Sequence, residues 1–585
     1  MFILIVLVGI GLVCAIDPFD FDKPPPPIKG HICAYGDMDR DLYTDIIVQD
    51  GENLKIYYQS ENGHFSDRGS LVIPVDAKKA FCSIGDFDGD SNPDILVSKR
   101  HSTNEYEPTI YFASNNEFIL HKLDVILNDE PSIMDVNGDG KSDVVGFMQN
   151  GSLFCQYGVS RNEFSSCLAA FKGLNFVPSP HFPHAFVDLD GDMSAEIVFG
   201  TEKDGKLVLE AWKRISNTEW RADRSLIAKL PAEAGKFYGA ALIADFDADG
   251  FIDIGIPWCS NENCGKVEAI KMWSYRTRAW QIYPVTGLDG VELVSTKRDG
   301  NVVFRAGDFS LDGYPDLIAL VRGKSALPMI LANVPCTDCI TNASRKFELR
   351  TSPRLIQPAD VAVGRNRLAA FFDLKEDGNL DVLLEFVAGD GNIMVDFIRC
   401  GDKGDTTFLK VQVFSSSCDR NCGSDKIKIG SGIAWNGACV TFTMSDSWGH
   451  AQTGAQCQLT QTSHRVFHTP FVLFGLGRSP NFVDWVHIGT ARLGTDSSSY
   501  HNQRHDLKQI VPNSRIIIVP PKGDGYFWQS RLYLTPSQLI IQSLIVLISV
   551  CMILLLVVGL LHFRERRADR QERQAQSHRF HFDAM

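Results

Sequence analysis

Asp86-Phe87-Asp88-Gly89-Asp90-Ser91-Asn92-Pro93-Asp94 is the stretch that decides the fold of this chain. It carries carboxylates at its first, third, fifth and ninth positions, and the apolar run Ile95-Leu96-Val97 follows directly. The chain holds seven copies of this frame, which begin at Asp37, Asp86, Asp135, Asp188, Asp245, Asp308 and Asp373. Seven copies in one register predict a repeat architecture.

The chemistry of the frame indicates a metal ion. Carboxylates packed within nine residues repel one another unless a positive charge lies among them. Oxygen ligands at alternating positions of a loop suit a hard cation, and irregular geometry suits Ca²⁺ better than Mg²⁺. An EF-hand loop would need Glu at position twelve, where the first two copies carry Val48 and Val97, and helices in place of the β-like flanks. A plain acidic turn is the other interpretation of one copy, but seven copies favour calcium loops.

The spacing of the copies predicts the architecture. Successive copies start 49, 49, 53, 57, 63 and 65 residues apart, with short β runs such as Lys55-Ile56-Tyr57-Tyr58 between them. This period, with several strands per repeat, is typical of a β-propeller. We therefore predict an all-β fold with a seven-bladed propeller over residues 29–400 and the acidic loops in a ring on one face. The opposite face is then the better candidate for partner binding.

Residues 401–536 lack the acidic frame. They alternate in β fashion at Lys410-Val411-Gln412-Val413-Phe414 and at Arg515-Ile516-Ile517-Ile518-Val519. This pattern predicts a smaller, membrane-proximal all-β domain resembling a β-sandwich.

The two ends of the chain predict a single-pass type I protein of the cell membrane. Residues 1–15 are apolar and end in Val13-Cys14-Ala15, which indicates a signal peptide, and residues 16–28 form a lead-in. Residues 539–561 are an apolar stretch of bilayer-spanning length. The tail at 562–585 is rich in Arg, so the positive-inside rule places it in the cytoplasm and the large upstream part outside the cell.

The extracellular location sets how cysteines and asparagines are interpreted. Close cysteines predict local disulfides in an oxidising compartment, namely Cys155/Cys167, Cys259/Cys264, Cys336/Cys339, Cys418/Cys422 and Cys439/Cys457. Sequence leaves the connectivity open. Sequons predict glycosylation at Asn150 and Asn342.

Charge and motifs narrow the function classes. The formal net charge of −14 disfavours a nucleic-acid binder, which would present a basic face. The sequence around Ser447 and the scattered histidines shows no nucleophile elbow and no metalloprotease helix. We predict that the chain is not an enzyme. The alternative is a hydrolase or carbohydrate-processing ectoenzyme on a propeller scaffold.

Three stretches resemble a known repeat: Asp86 to Asp90, Asp245 to Gly250, and Phe237 to Ala241 are similar to the FG-GAP repeats of integrin α-subunit propellers. The full layout, including the terminal run His578 to Met585, resembles the family of T-cell immunomodulatory proteins, also called linkins. This resemblance implies cell adhesion, tissue integrity and modulation of T-cell function through an extracellular protein ligand on a neighbouring cell or in the matrix. It also implies a shed ectodomain, with RuvB-like ATPases and tubulin as cytoplasmic partners.

The resemblance further implies structural Ca²⁺ in up to six or seven loops. The implied ligands are Asp37, Asp39, Asp41 and Asp45; Asp86, Asp88, Asp90 and Asp94; Asp135, Asn137, Asp139 and Asp143; Asp188, Asp190, Asp192 and Glu196; Asp245, Asp247, Asp249 and Asp253; and Asp308, Ser310, Asp312 and Asp316. The seventh copy departs from the pattern, because Lys375 stands at its third position. We expect weak or absent calcium there, with Lys375 replacing the ion.

Overall fold

A computed structural model describes residues 25–582, except 70–71, 103–104, 115–116, 162, 173, 175–178, 180–181, 183, 204–205, 217, 232–235, 289, 295–301, 323–325, 338, 340–342, 350–360, 401–405, 416–430, 446–448, 461–466, 479–481, 491–502, 522–526 and 536–537. The predicted signal peptide at 1–15, the predicted pair Cys418/Cys422 and the sequon residue Asn342 lie outside the described residues.

The described chain is almost wholly β-structure up to Leu534, as predicted, and its first sheets are antiparallel. Strand β1 (Ile28–Lys29) belongs to the last sheet, described below. The first sheet contains β2 (His31–Gly36), β3 (Asp45–Asp50), β4 (Asn53–Gln59), β5 (Phe65–Ser66) and β6 (Ile73–Pro74). The second contains β7 (Ala80–Gly85), β8 (Asp94–Ser102), β9 (Glu105–Ser114) and β10 (Glu117–Lys122). The third contains β11 (Ser132–Met134), β12 (Asp143–Phe147), β13 (Leu153–Ser160) and β14 (Glu163–Ser166), and a 3-10 helix follows at Leu168–Ala170.

The later sheets continue this order. The fourth contains β15 (Ala185–Val187), β16 (Glu196–Lys203), β17 (Lys206–Ser216) and β18 (Glu219–Ala222). A ten-stranded sheet follows with β19 (Phe237–Tyr238), β20 (Leu242–Ala244), β21 (Asp253–Cys259), β22 (Val267–Ser274), β23 (Ala279–Thr286), β24 (Glu292–Leu293), β25 (Arg305–Gly307), β26 (Asp316–Arg322), β27 (Ala326–Pro335) and β28 (Arg345–Leu349). Its two halves are joined by a short parallel pairing of β23 with β28.

Residues 28–398 contain the sheets that carry the acidic repeats, and we call them the repeat region. Its last sheet takes one strand from the start of the chain. It contains β29 (Val361–Phe372), β30 (Asp381–Ala388) and β31 (Ile393–Ile398), and β1 (Ile28–Lys29) pairs with β31. Apolar side chains pack between successive sheets. One such cluster joins the last sheet to the first and includes Val48, Leu383 and Val395. Burial of both faces explains why these strands are continuously apolar.

The C-terminal β region, residues 406–534, contains two further sheets. One has the order β35-β32-β38-β39, with β32 (Thr407–Val413), β35 (Val472–Gly477), β38 (Ser514–Val519) and β39 (Gln529–Leu534). The other has the order β34-β33-β36-β37, with β33 (Cys439–Ser445), β34 (Ala451–Cys457), β36 (Val483–Gly489) and β37 (Arg504–Ile510). Side chains from both sheets, such as Val411, Val440 and Ile516, form one buried cluster.

Among the described residues one long helix is present, α1 (Gln538–Phe582), and it forms a separate compact unit with its short lead-in. Among the described residues, one helical stretch, Ser543–Gln576, is long and apolar enough to cross a membrane by length and composition. The predicted span at 539–561 falls within α1, and the helix continues into the Arg-rich tail.

Four predicted disulfides are confirmed: Cys155–Cys167, Cys259–Cys264, Cys336–Cys339 and Cys439–Cys457. A fifth, Cys33–Cys82, was not predicted because its cysteines lie 49 residues apart. It links β2 of the first sheet to β7 of the second.

Candidate metal centres in the acidic loops

The seven acidic loops lie at equivalent places in the repeat region. We number them loop one (37–45), loop two (86–94), loop three (135–143), loop four (188–196), loop five (245–253), loop six (308–316) and loop seven (373–381). Each follows one strand of a sheet, and its ninth residue begins the next strand of the same sheet. The alternation of apolar strand and acidic turn in the sequence therefore becomes one hairpin per repeat.

Loop five shows how the carboxylates organise the backbone. Asp245 Oδ1 accepts a hydrogen bond from the Asp249 N–H at 3.1 Å, and its Oδ2 accepts one from the Gly250 N–H at 2.9 Å. Asp253 Oδ2 accepts one from the Phe246 N–H at 2.9 Å. The first and ninth carboxylates thus hold the loop in shape through hydrogen bonds to its backbone.

All seven loops share this pattern. In each one the N–H of the sixth residue donates to the carboxylate of the first. The sixth residue always has a positive φ, at Leu42, Ser91, Gly140, Met193, Gly250, Gly313 and Gly378. Glycine adopts this conformation at little cost, which explains its presence in four copies. The ninth residue accepts from the second residue in six loops and from the third, Ser310, in loop six.

The geometry fits a hard cation in four loops. Ligand oxygens lie within 4.8 Å of one another in clusters formed by Asp37, Asp39 and Asp41; by Asp86, Asp88 and Asp94; by Asp188, Asp190 and Glu196; and by Asp245, Asp247 and Asp249. In loop five, Asp247 Oδ1 and Asp253 Oδ1 are buried without a hydrogen-bond partner. A buried, unsatisfied carboxylate oxygen is costly, and metal coordination is one of the ways in which proteins satisfy it.

Electrostatics supports the same interpretation. Burial, followed by repulsion from Asp247, raises the pKa of Asp245 to about 8. Burial also raises the pKa of Asp253 well above its usual range, with Asp247 and Asp245 adding to the shift. In loop one, burial raises the pKa of Asp37 to about 8 and that of Asp45 to about 9. A cation among these groups would favour their charged forms.

In three loops a basic side chain from elsewhere in the repeat region also forms an ion pair with the carboxylates. The Arg68 guanidinium lies 2.6 Å from Asp39 in loop one. Arg161 contacts Asp88 at 2.6 Å and Asp90 at 2.8 Å in loop two. In loop four, Lys213 Nζ lies 2.6 Å from Asp192 and also contacts Asp190 and Glu196. Arg68, Arg161 and Lys213 are 50%, 31% and 27% exposed, so they can move outward.

Loops three and six offer fewer carboxylates, because Asn137 and Ser310 occupy their third positions. Asn137 Nδ2 donates to Asp139 at 3.1 Å, and Asp143 is fully buried at the ninth position. In loop six, Asp308 accepts hydrogen bonds from the N–H groups of Asp312 and Gly313. Asp316 accepts one from the Asn333 N–H at 2.9 Å.

Loop seven differs from the other loops in that a fully buried lysine from the C-terminal β region pairs with its first carboxylate. The ammonium of Lys410, on β32, lies 2.7 Å from Asp373 Oδ2 and also contacts Glu376. Burial raises the pKa of Asp373 to about 6, and Lys410 limits the rise. For Glu376, Arg515 and Lys410 outweigh burial and lower the pKa. Lys375 was the predicted replacement for the ion in this loop, and no sequence pattern pointed to Lys410.

The effect of Lys410 is local. Asp381, at the ninth position of loop seven, keeps a pKa well above its usual range because burial dominates and Asp377 repels it. Its Oδ1 accepts a hydrogen bond from the Cys400 N–H at 2.7 Å.

The C-terminal β region contacts several of the loops directly. The Ala455 N–H donates to Asp245 Oδ2 at 3.0 Å, and the Gly475 N–H donates to Asp308 Oδ2 at 2.8 Å. In loop four, the Asp188 N–H donates to Cys439 Sγ at 3.3 Å. Loops four, five and six are therefore in contact with the C-terminal β region. Spacing alone did not reveal these contacts.

The glycosylation candidate Asn150 lies in an exposed turn beside Gly151, which has a φ of 80°. Its side-chain oxygen accepts a hydrogen bond from the Ser152 N–H at 3.0 Å. The site is sterically open, and glycosylation there stays a prediction.

Comparisons with known proteins bear on both β regions. A family model described as "FG-GAP-like repeat" matches residues 37–97, and one described as "ITFG1, C2 domain" matches residues 430–533. Protein linkin of Caenorhabditis elegans is 40% identical over 591 residues, covering 96% of this chain and 97% of its own. The T-cell immunomodulatory protein of Homo sapiens is 30% identical over 593 residues, covering 95% of this chain and 92% of its own. Among solved structures, BBS1N in complex with ARL6DN aligns over 63% of this chain and 93% of that one, at 11% identity and a TM-score of 0.33, too low to support an argument.

Proposed function

Since the chain belongs to the family that contains linkin and the T-cell immunomodulatory proteins, we propose that it acts in cell adhesion, tissue integrity and modulation of T cells by binding an extracellular protein. Its FG-GAP repeats and its apolar C-terminal helix are consistent with a single-pass cell-surface protein. The names of the relatives suggest proteins that are not enzymes.

We propose that the repeat region is a seven-bladed propeller over residues 29–400. Seven acidic hairpins in equivalent sheet positions support seven blades, with the ten-stranded sheet counted as two. The cluster of Val48, Leu383 and Val395 between the last and first sheets supports closure of the ring. For residues 401–536 we propose a sandwich, supported by two four-stranded sheets that share a core and by the C2 family match.

The proposed role of the acidic loops is to bind structural calcium. The observation that carries it is the pair of buried carboxylate oxygens without partners in loop five, Asp247 Oδ1 and Asp253 Oδ1. Bound there, Ca²⁺ would supply positive charge that offsets the mutual repulsion of the carboxylates. Asp245, Asp247, Asp249 and Asp253 would hold it, and the hydrogen bonds of Asp245 and Asp253 pre-form the loop.

The contacts of the C-terminal β region with Asp188, Asp245 and Asp308 leave the opposite face of the repeat region as our candidate for ligand binding. We propose a type I orientation, supported by the Arg-rich tail at 562–585 and the apolar start at 1–15. A shed ectodomain and cytoplasmic binding of RuvB-like ATPases and tubulin rest on the family resemblance alone.

Cells that express the full-length chain test this proposal. We expect them to cohere with partner cells in millimolar calcium, and we expect Asp247→Asn to weaken cohesion and to remove about one calcium ion per chain. A wild-type chain that binds no calcium would overturn the metal role. Turnover in a broad hydrolase and glycosidase screen would favour the enzymatic alternative.

A further inference from the structure

We infer that Lys410 is the permanent cation of loop seven and that it fastens the C-terminal β region to the repeat region without a metal ion. Its ammonium lies 2.7 Å from Asp373 Oδ2 and in contact with Glu376. The side chains of Lys410 and Asp373 are both fully buried. The amino group therefore pairs with the first carboxylate of the loop, whose sequence keeps carboxylates at the first, fifth and ninth positions of the acidic frame.

A buried ammonium is stable when charges and hydrogen bonds surround it. Asp373 and Glu376 supply two carboxylates, and the Phe471 ring lies 3.8 Å from the Lys410 nitrogen. Burial and partners on both sides fix the position of the charge. It cannot swing into solvent as an exposed lysine can.

Glu376 extends the connection to two other parts of the molecule. Its Oε1 accepts a hydrogen bond from the Thr44 hydroxyl of loop one at 2.6 Å. Its Oε2 lies 3.5 Å from Arg515 on β38, the strand that pairs in parallel with β32. One carboxylate therefore joins loop seven, loop one and both of these strands.

Loop seven also packs closely against β32. A Cβ at Gly378 would lie 2.4 Å from ring atoms of Phe408, so the loop and the strand leave no room for a side chain there. Gly378 also has a φ of 80°, the same left-handed conformation as the sixth residue of the other loops. The loop keeps its shape while the strand lies directly upon it.

The other loops show what is particular here. At loops five and six, the C-terminal β region reaches the first carboxylate with neutral backbone N–H groups, from Ala455 and Gly475. At loops one, two and four, the basic side chains are 50%, 31% and 27% exposed, whereas Lys410 is 0% exposed. A divalent cation could displace the exposed side chains, but at loop seven it would meet a positive charge with no route outward.

The metal count of the full-length chain in detergent is the first test. This measurement rests on the proposed binding of calcium by the other loops. Equilibrated with millimolar calcium, Asp247→Asn should lose about one bound ion relative to the wild type, and Asp373→Asn should lose none. Loss of one ion in Asp373→Asn would overturn the inference.

Hydrogen exchange in excess EGTA is the second test, and it does not depend on calcium. Lys410→Met should increase exchange in β32 and β30 at least tenfold, whereas the matched exposed control Lys508→Met should leave it unchanged. Should Lys410→Met fail to fold, Glu376→Gln, which keeps the lysine, should raise exchange in β32 by a smaller factor. Unchanged hydrogen exchange in β32 of Lys410→Met or of Glu376→Gln would contradict the inference. If the wild-type chain binds no calcium, the proposed metal role is wrong. The exchange measurement in EGTA still tests the role of Lys410, because it does not depend on calcium.

Discussion

Loop five and loop seven have the same pattern of backbone hydrogen bonds, and they differ in the positive charge that balances their carboxylates. In both, the first aspartate accepts N–H groups from the fifth and sixth residues and the ninth accepts one from the second. Asp245 has a pKa of about 8, raised by burial and by Asp247. Asp373 has a pKa of about 6, because the charge of Lys410 opposes the effect of burial. We propose that calcium balances the charge of loop five, whereas the ammonium of Lys410 from a distant strand balances that of loop seven.

The comparison separates shape from charge. The hydrogen bonds made by the first and ninth carboxylates set the shape of the loop, and they are present in every copy. The charge balance depends on the residue at the third position and on what packs above the loop. Loop five has Asp247 at its third position, whereas loop seven has Lys375 there and Lys410 above.

Calcium removal should lower the free energy of unfolding more than any other change considered. It should destabilise loop five and leave loop seven unchanged. Each site saturated at 100 times its Kd adds about 2.7 kcal/mol to the free energy of unfolding, so several emptied loops lose several times that amount. We expect the melting temperature of the full-length chain to fall strongly between millimolar calcium and excess EGTA. An identical melt in both buffers would break the comparison.

Replacing Lys410 by Met should have the next largest effect. Removing one partner of a buried ion pair leaves an uncompensated charge and typically costs about 3–5 kcal/mol. The loss should be the same in calcium and in EGTA, because no metal is involved. Thermal unfolding in both buffers measures it, with Lys508→Met as the control. A loss seen in EGTA alone would instead point to a metal in loop seven.

The pH dependence in EGTA should sharpen the contrast. The folded pKa of Asp245 is about 8, against an ordinary value of 3.8, so the folded state holds its proton more tightly than the unfolded state. Its contribution to stability is fully present below the ordinary value and is lost as the pH rises toward about 8. For Asp373 the loss is complete near about 6. We expect melting temperatures in EGTA to fall from pH 5 to pH 8, and calcium to flatten the profile. A rise with pH in EGTA would contradict the assignment.

The smallest effect should come from a single ligand. Asp247→Asn keeps the shape of loop five and removes one charge, so it should cost about 1–3 kcal/mol in calcium, as expected for the loss of most of one site's binding energy. In EGTA the same change relieves repulsion and should be neutral or stabilising. Paired melts in the two buffers give both numbers, and equal losses in both would argue against a metal in this loop.

The sequence was sufficient wherever the decisive contacts are local. The frame from Asp86 to Asp94 predicted hairpins between strands, and close cysteines such as Cys155 and Cys167 predicted disulfides that the structure confirms. These features depend on residues within one hairpin, where spacing fixes geometry.

The contacts that sequence patterns did not predict join residues far apart in the chain. Lys410 lies 37 residues after Asp373, in a stretch without the acidic frame, and Arg161 lies 73 residues after Asp88. No local pattern marks either residue as a partner of an acidic loop. Leu42 and Met193 adopt the same left-handed conformation as Gly378, so the hydrogen bond to the first carboxylate, and not glycine alone, sets this position.

The pairing of β1 with β31 has a consequence for how the chain is made. Ile28 and Lys29 leave the ribosome early, but their partners Met394 and Val395 are translated more than three hundred residues later. Strand β1 therefore stays unpaired until β31 has been made, and such distant pairing slows folding. A nascent chain arrested before residue 393 therefore carries an unpaired N-terminal strand.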